Sequence, residues 1–262
     1  MRFRKYNDKY ALYNDRLWTT SSIPLSYIWY DATLATSSSY IADVNTLGGT
    51  NSYFLRLYDR GTASNHLYQE VISRRARYVY DATKTQYTYL LDEPYFGFYY
   101  GCSTQSSPFS NTANHNITHF CVVKTPNSNT TTVGNFFEYT STKYGNAIRL
   151  INGELSYEQS HTDVTGSDSK KLNISNDTWY LIIATSSLDI NANTQSLSLK
   201  VNNVIATQSA YNSFTTATNS IVGVSDKANL TIGEIITYNR ILDAQQIDLV
   251  ESYLKNKWSI SY

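Results

Sequence analysis

Few side chains able to do covalent or metal chemistry stand at useful spacings in this sequence. The four histidines, His66, His115, His119 and His161, are scattered, and no pair combines ligand spacing with a helix or a cysteine partner. His115 and His119 flank the start of a strand-like run and can share one face of it. Retaining hydrolysis of a glycoside needs an acid and a nucleophile about 5 Å apart. Glu154 and Glu158 are spaced four apart on a strand, hence on one face but far apart along it, and read as solvated edge charges. Asp92-Glu93 precedes Pro94 in a turn. No glycine-rich phosphate loop, nucleophile elbow or Cys-x-x-Cys motif occurs. Catalysis therefore has no support, and the chain is read as a non-enzyme. What remains is aromatic. The run Tyr95-Phe96-Gly97-Phe98-Tyr99-Tyr100-Gly101 is followed by the polar stretch from Ser103 to Asn116. Rings for the apolar faces of sugars, beside amides, hydroxyls and a histidine for their hydroxyl groups, make Tyr95, Phe98, Tyr99, Tyr100 and His115 the ligand-binding candidates. The competing reading of such a cluster is core packing or subunit contact.

Composition narrows the partners. Twenty-one basic and 21 acidic residues cancel, which leaves no long-range field toward nucleic acid or a charged membrane. Ser, Thr and Asn supply 85 of the 262 residues, and 24 tyrosines add to them, so solubility rests on hydroxyls and amides that suit strands and turns. Five Asn-x-Ser/Thr sequons, at Asn116, Asn129, Asn173, Asn176 and Asn229, arise by chance in such a composition. The start, Met1 to Lys9, is charged but leads into no apolar run, so no secretory signal is expected. Two cysteines, Cys102 and Cys121, are too few for a disulfide scaffold. Free buried thiols are expected, with a bridge between neighbouring strands as the alternative. Residues 1–23 interleave Arg2, Arg4, Lys5, Lys9 and Arg16 with Phe3, Tyr6, Tyr10, Tyr13 and Trp18. Aromatic and arginine residues anchor interfaces, so this segment reads as an arm that docks on another subunit, ahead of one domain over 24–262.

The elements that would carry these residues are strands. Runs at Ile117–Pro126, Asn135–Thr140, Asn146–Ile151, Leu155–Gln159, Trp179–Thr185, Ser196–Val201, Val204–Thr207, Asn219–Val224 and Leu230–Tyr238 are apolar or alternating, and turn residues separate them. Asn202-Asn203 makes a hairpin turn. Many short strands with little helix predict an all-β, two-sheet antiparallel sandwich. One helix is expected, from about Asp243 to Lys257. Asp243 and Gln246 form a capping box, Leu242 and Ile247 a hydrophobic staple, and Ile247, Val250, Leu254 and Trp258 one apolar face.

The closing segment Ile232-Gly233-Glu234-Ile235-Ile236-Thr237-Tyr238-Asn239-Arg240, continuing to Glu251-Ser252-Tyr253-Leu254-Lys255-Asn256-Lys257-Trp258, resembles the signature of concanavalin A-like/laminin G-like jelly-roll domains. Ile28-Trp29-Tyr30-Asp31-Ala32 is similar to that family's opening strand, and Leu57 to His66 to its following loop, with Tyr58 for tryptophan. Arg74-Arg75-Ala76-Arg77-Tyr78, Thr178 to Ile182 and Leu199 to Asn203 match further landmarks in order, so the resemblance covers 28–258. It departs at Phe98-Tyr99-Tyr100-Gly101-Cys102-Ser103, where the family carries paired aspartates. The Glu-x-Asp-x-x-Glu pattern of related β-glucan hydrolases is absent. The resemblance implies a jelly roll with one C-terminal helix. No metal or other cofactor is expected, since Asp31, Asp59 and Asn65 read first as turn-forming residues; the resemblance makes them only weak candidate oxygen donors for a calcium site on the rim. Such domains occur in virion proteins of phages and large viruses and in bacterial surface proteins. The leading expectation is a non-catalytic virion structural protein, capsid-decorating or fibre-associated, on the virion surface after assembly in host cytoplasm. Its partners would be other virion proteins or itself through the arm, with glycans as ligands. The alternative is an extracellular carbohydrate-binding module.

Overall fold

The computed structural model describes residues 26, 28–33, 56–57, 59–62, 67–68, 76–91, 97–99, 116–126, 134–140, 145–151, 153–160, 168–189, 194–209, 221–225 and 230–262. The strands are β1 (Ile28–Asp31), β2 (Arg56–Leu57), β3 (Leu67–Tyr68), β4 (Arg77–Asp81), β5 (Gln86–Leu91) and β6 (Gly97–Tyr99). They continue with β7 (Ile117–Lys124), β8 (Gly134–Thr140), β9 (Gly145–Ile151), β10 (Glu154–Ser160) and β11 (Asp168–Asn173). Then come β12 (Trp179–Asp189), β13 (Thr194–Val201), β14 (Val204–Ser209), β15 (Ile221–Ser225) and β16 (Leu230–Tyr238), before the helix α1 (Ala244–Trp258).

Two eight-stranded antiparallel sheets result. The first runs β14-β13-β12-β7-β16-β5-β4, with β1 added to β16; the second runs β11-β10-β9-β8-β15-β6-β3-β2. Because β11 lies against β13 and β14, the strand orders bring β4 and β5 to the same end of the sandwich as β6, β3 and β2. The expected two-sheet sandwich with one C-terminal helix is what forms.

Register explains how the first sheet can be buried on both faces. On β7 and β12, Val122 pairs with Leu181 and Phe120 with Ile183, and these face α1. Cys121 pairs with Ile182 and His119 with Ala184, and these face the second sheet. The ring of His119 lies edge-on to Tyr157 of β10, with centroids 6.1 Å apart. On the opposite face, Trp179 stacks on Trp258 of α1 at 5.6 Å. A strand with apolar residues at both parities is what such a two-sided environment requires.

β16 is the organising strand. β7 lines one of its edges, while the other is shared: β5 pairs with Leu230–Ile232 and β1 with Glu234–Thr237. Gly233 stands at the handover, where the register against β7 shifts in a bulge. A Cβ there would lie 2.7 Å from both Cη2 and Cζ2 of Trp258, so the residue must be glycine for the indole to lie against the strand.

α1 begins as expected. The Asp243 carboxylate accepts from the Gln246 backbone N–H at 2.8 Å, and the Gln246 side chain accepts in return from the Asp243 N–H at 3.3 Å. Two reciprocal bonds thus satisfy donors that a helix start leaves orphaned. Leu242 is buried beside the cap, and Val250, Leu254 and Trp258 form the buried stripe, with Ile247 half-buried at its start. The end is a left-handed Ser259 (φ 47°), after which the Ile260 N–H donates to the Lys255 carbonyl. The apolar periodicity leaves out three residues: Glu251, Tyr253 and Lys257 are buried on this helix as well.

Candidate functional site

Where β1, β16 and α1 meet, charged groups are buried instead of apolar ones. Asp31 and Glu234 are directly opposed across the β1–β16 ladder. Lys257, the penultimate residue of α1, reaches down between them. Its Nζ lies 2.8 Å from Asp31 Oδ2 and 2.7 Å from Glu234 Oε2. All three side chains are at most 2% exposed. Glu234 is saturated with donors. Its Oε1 accepts from Trp29 Nε1 at 2.6 Å and from the Tyr253 hydroxyl at 3.1 Å. Its Oε2 accepts from Trp258 Nε1 at 2.9 Å besides the Lys257 ammonium. Asp31 Oδ1 accepts from the Thr33 backbone N–H at 3.0 Å and the Thr33 hydroxyl at 2.7 Å. Arg60 Nη1 lies 3.4 Å from Oδ2, and the guanidinium covers the Trp29 ring at 4.5 Å.

The adjoining loop is tied down by Asp59, whose Oδ1 accepts the backbone N–H groups of Trp29 and Gly61, both at 2.7 Å. Burial works against every charge here, and the partners decide the outcome. For Asp31, Lys257 and then Arg60 more than offset burial and hold the carboxyl below its ordinary value. For Glu234, burial and the neighbouring Asp31 charge prevail over Lys257, and its pKa is raised. Lys257 is raised, because the two carboxylates outweigh its desolvation. The three groups form a buried ion cluster roofed by aromatic rings.

This geometry bears on the calcium donors. Asp31 has an ammonium at 2.8 Å and Asp59 holds two backbone donors, so a calcium ion would have to displace Lys257 and undo the loop. The two carboxylates therefore do not fit that ion as they stand, and Asn65 lies outside the described residues. Among the described residues no group of three His, Cys, Asp or Glu side chains is placed to hold a metal. Nor do Asp31 and Glu234 form a hydrolytic pair, because both are sealed beneath α1, away from any substrate.

Of the aromatic candidates, Tyr95, Tyr100 and His115 lie outside the described residues, as do Cys102, His66 and His161. Phe98 and Tyr99 lie on β6, where Tyr99 pairs with Gly223 and Tyr68, and Phe98 with Val224. His119 is fully buried; Nδ1 shares a hydrogen bond with the Thr237 hydroxyl at 3.0 Å, and burial pushes its pKa down to about 3. Cys121 is a buried free thiol, pushed up by the same desolvation. Glu154 and Glu158 sit four apart on β10, as expected, but β10 is paired with both β9 and β11 and is not the edge strand they were assigned to.

A second aromatic site escaped the sequence reading. In the β4–β5 hairpin Tyr78 opposes Tyr89 and Tyr80 opposes Tyr87, which puts four tyrosines on one face. Tyr78 and Tyr89 are buried, while Tyr80 is 52% exposed. Tyr87 stacks on Tyr78 at 4.3 Å with the rings 10° from parallel, and Tyr80 meets Tyr87 edge-on at 5.2 Å. The ladder thus runs along the hairpin from buried rings toward its turn, anchored at one end and exposed at the other. The tyrosine alternation Tyr78-Val79-Tyr80 and Tyr87-Thr88-Tyr89 was its signal.

No family model matches the chain, and no curated protein does. Solved structures do. The binding domain of botulinum neurotoxin serotype D/C superposes with a TM-score of 0.58 at 8% identity, covering 87% of this chain and 52% of that one. The serotype D binding domain gives 0.57 at 11% identity, covering 87% and 50%. The receptor-binding domain of botulinum neurotoxin D gives 0.52 at 12%, covering 76% and 50%. The chain spans about half the length of these structures. At such identities the likeness is one of fold, and the fold is the two-sheet jelly roll.

Proposed function

We propose that this jelly roll is a non-catalytic recognition module whose ligand is a glycan. The observation that carries the proposal is the tyrosine ladder of β4–β5, with Tyr80 exposed, Tyr87 edge-on to it and Tyr87 stacked in turn on the buried Tyr78, at the end of the sandwich where β6 also lies. Pyranose rings bind by laying an apolar face on such a ring, and a ring held by stacking pays little ordering entropy on binding. Of the ligand-binding candidates, Phe98 and Tyr99 lie on β6, while Tyr95, Tyr100 and His115 lie outside the described residues. The solved structures resembling this fold are binding domains rather than enzymes, which supports the reading without identifying a sugar. For the setting we propose display on a virion surface, with residues 1–23 as the attachment arm. Extracellular display on a bacterial surface is the alternative, and capsid or tail genes beside the reading frame would favour the former.

The test is a glycan array followed by titration of the best ligand. Tyr80→Ala and Tyr87→Ala are expected to weaken binding about tenfold each, roughly 1.4 kcal/mol, without changing the melting temperature by more than a few degrees. Retained affinity in both variants would remove β4–β5 from the site, and no glycan bound at millimolar concentration would remove the function.

A further inference from the structure

The Asp31–Lys257–Glu234 cluster has no part in the proposed ligand recognition, yet it places a primary amine, a carboxyl group and a second acid in contact inside a buried aromatic shell. We propose that Lys257 and Asp31 become joined by an amide bond, formed spontaneously in the folded chain, with Glu234 moving the protons.

The reaction is a condensation, and the atoms are already in place. Lys257 Nζ touches Asp31 Oδ2 at 2.8 Å and Glu234 Oε2 at 2.7 Å, so a proton leaves the ammonium for Glu234 and passes to Asp31. This converts the ion pair to a neutral amine and a carboxylic acid, a step that runs uphill from the resting cluster, where Asp31 is held ionised and Lys257 protonated. The nitrogen lone pair then attacks Asp31 Cγ. Negative charge collects on Oδ1, where the Thr33 backbone N–H and hydroxyl already donate at 3.0 and 2.7 Å. A second proton travels from nitrogen through Glu234 to Oδ2, the Cγ–Oδ2 bond breaks, and water leaves. The ammonium has lost two protons, the departing oxygen has gained two, and Glu234 ends as the carboxylate it began as. No oxidant or cofactor enters the balance.

Two features favour the step. Holding amine and acid in contact replaces a bimolecular encounter, for which effective molarities of about 10⁵–10⁸ M are reached in well-oriented cases. Trp29, Tyr253 and Trp258 hold Glu234 through three hydrogen bonds, which fixes the shuttle beside the reacting pair. The product would tie β1, at the start of the described domain, to α1, at its end, so that pulling on the chain could not peel either away.

Intact mass spectrometry of the full chain, denatured after incubation at neutral pH, decides the matter. The expected result is a mass one water below that of the sequence, with a branched tryptic peptide joining Asp31 to Lys257. Lys257→Arg and Glu234→Gln, each checked for fold by near-ultraviolet circular dichroism, are expected at full mass. Asp31→Asn should lose ammonia in place of water. A folded wild-type chain at full mass overturns the proposal, as does water loss confined to a single linear peptide, the mark of a succinimide. Water loss retained in folded Glu234→Gln overturns the role given to Glu234. Glycan binding is unaffected by any of these outcomes, so the two proposals fail separately.

Discussion

A histidine in the middle of an apolar sheet is a charge the fold cannot accept. His119 faces the second sheet against Tyr157, its Nδ1 is engaged by Thr237, and burial pushes its pKa from 6.5 down to about 3. The folded state thus binds this proton far more weakly than the unfolded chain does. Stability from holding His119 neutral is fully present above pH 6.5 and is lost as pH falls from there toward 3, at about 1.4 kcal/mol per pH unit. Urea denaturation between pH 7 and 4 should show His119→Gln less pH-sensitive than wild type by that slope; parallel curves would mean that His119 is not held neutral. The sequence placed His119 on a strand, but periodicity carries no information about which face becomes the inner one. The same limit hid the charged cluster. Asp31 was read as a rim donor and Lys257 as part of an unremarkable helix end, because pairing between residues so distant in the chain is set by the β1–β16 register and not by any local pattern.

At the scale of elements, local signals were the most legible. The capping box, the staple and the apolar stripe of α1 lie within a few residues of one another, and the helix forms one residue from the expected bounds. β7, β12, β13, β14 and β16 were legible for the same reason. β11 and the β4–β5 hairpin were harder, since polar and tyrosine-rich strands carry little apolar alternation. The docking of α1 onto β16 depends on Gly233, and this yields a sharp expectation. In Gly233→Ala the new methyl would overlap the six-membered ring of Trp258, which is fully buried and also held through Nε1 by Glu234. The indole cannot retreat without breaking that bond, so the helix must shift at a cost of about 1–3 kcal/mol. A lowered urea midpoint with an unchanged m-value is expected, together with an altered near-ultraviolet signal from Trp258 and its stacked neighbour Trp179. A midpoint equal to wild type would show that the close contact is not maintained in solution.

For the molecule as a whole, the fold class followed from strand number and composition, whereas the ligand surface did not, because it is assembled at one end of the sandwich from hairpins distant in sequence. The proposed arm is the remaining question at this scale. Residues 1–23 lie outside the described residues, and the described sandwich has its sheets joined without them: β1 begins at Ile28 and completes the edge of β16. An arm of that length must offset an ordering entropy of roughly 1–2 kcal/mol per residue, and a partner surface is where its interleaved aromatic and arginine side chains would recover it. Removal of residues 1–23 is therefore expected to leave the melting temperature of the sandwich within a few degrees of the full chain. Incorporation into particles or oligomers should be lost at the same time. The comparison needs both readouts on the same preparations, thermal unfolding by circular dichroism and co-sedimentation with candidate virion proteins. Equal stability with lost incorporation supports attachment through the arm. A collapse in stability would instead make residues 1–23 part of the core, and unchanged incorporation would move the assembly surface onto the sandwich itself.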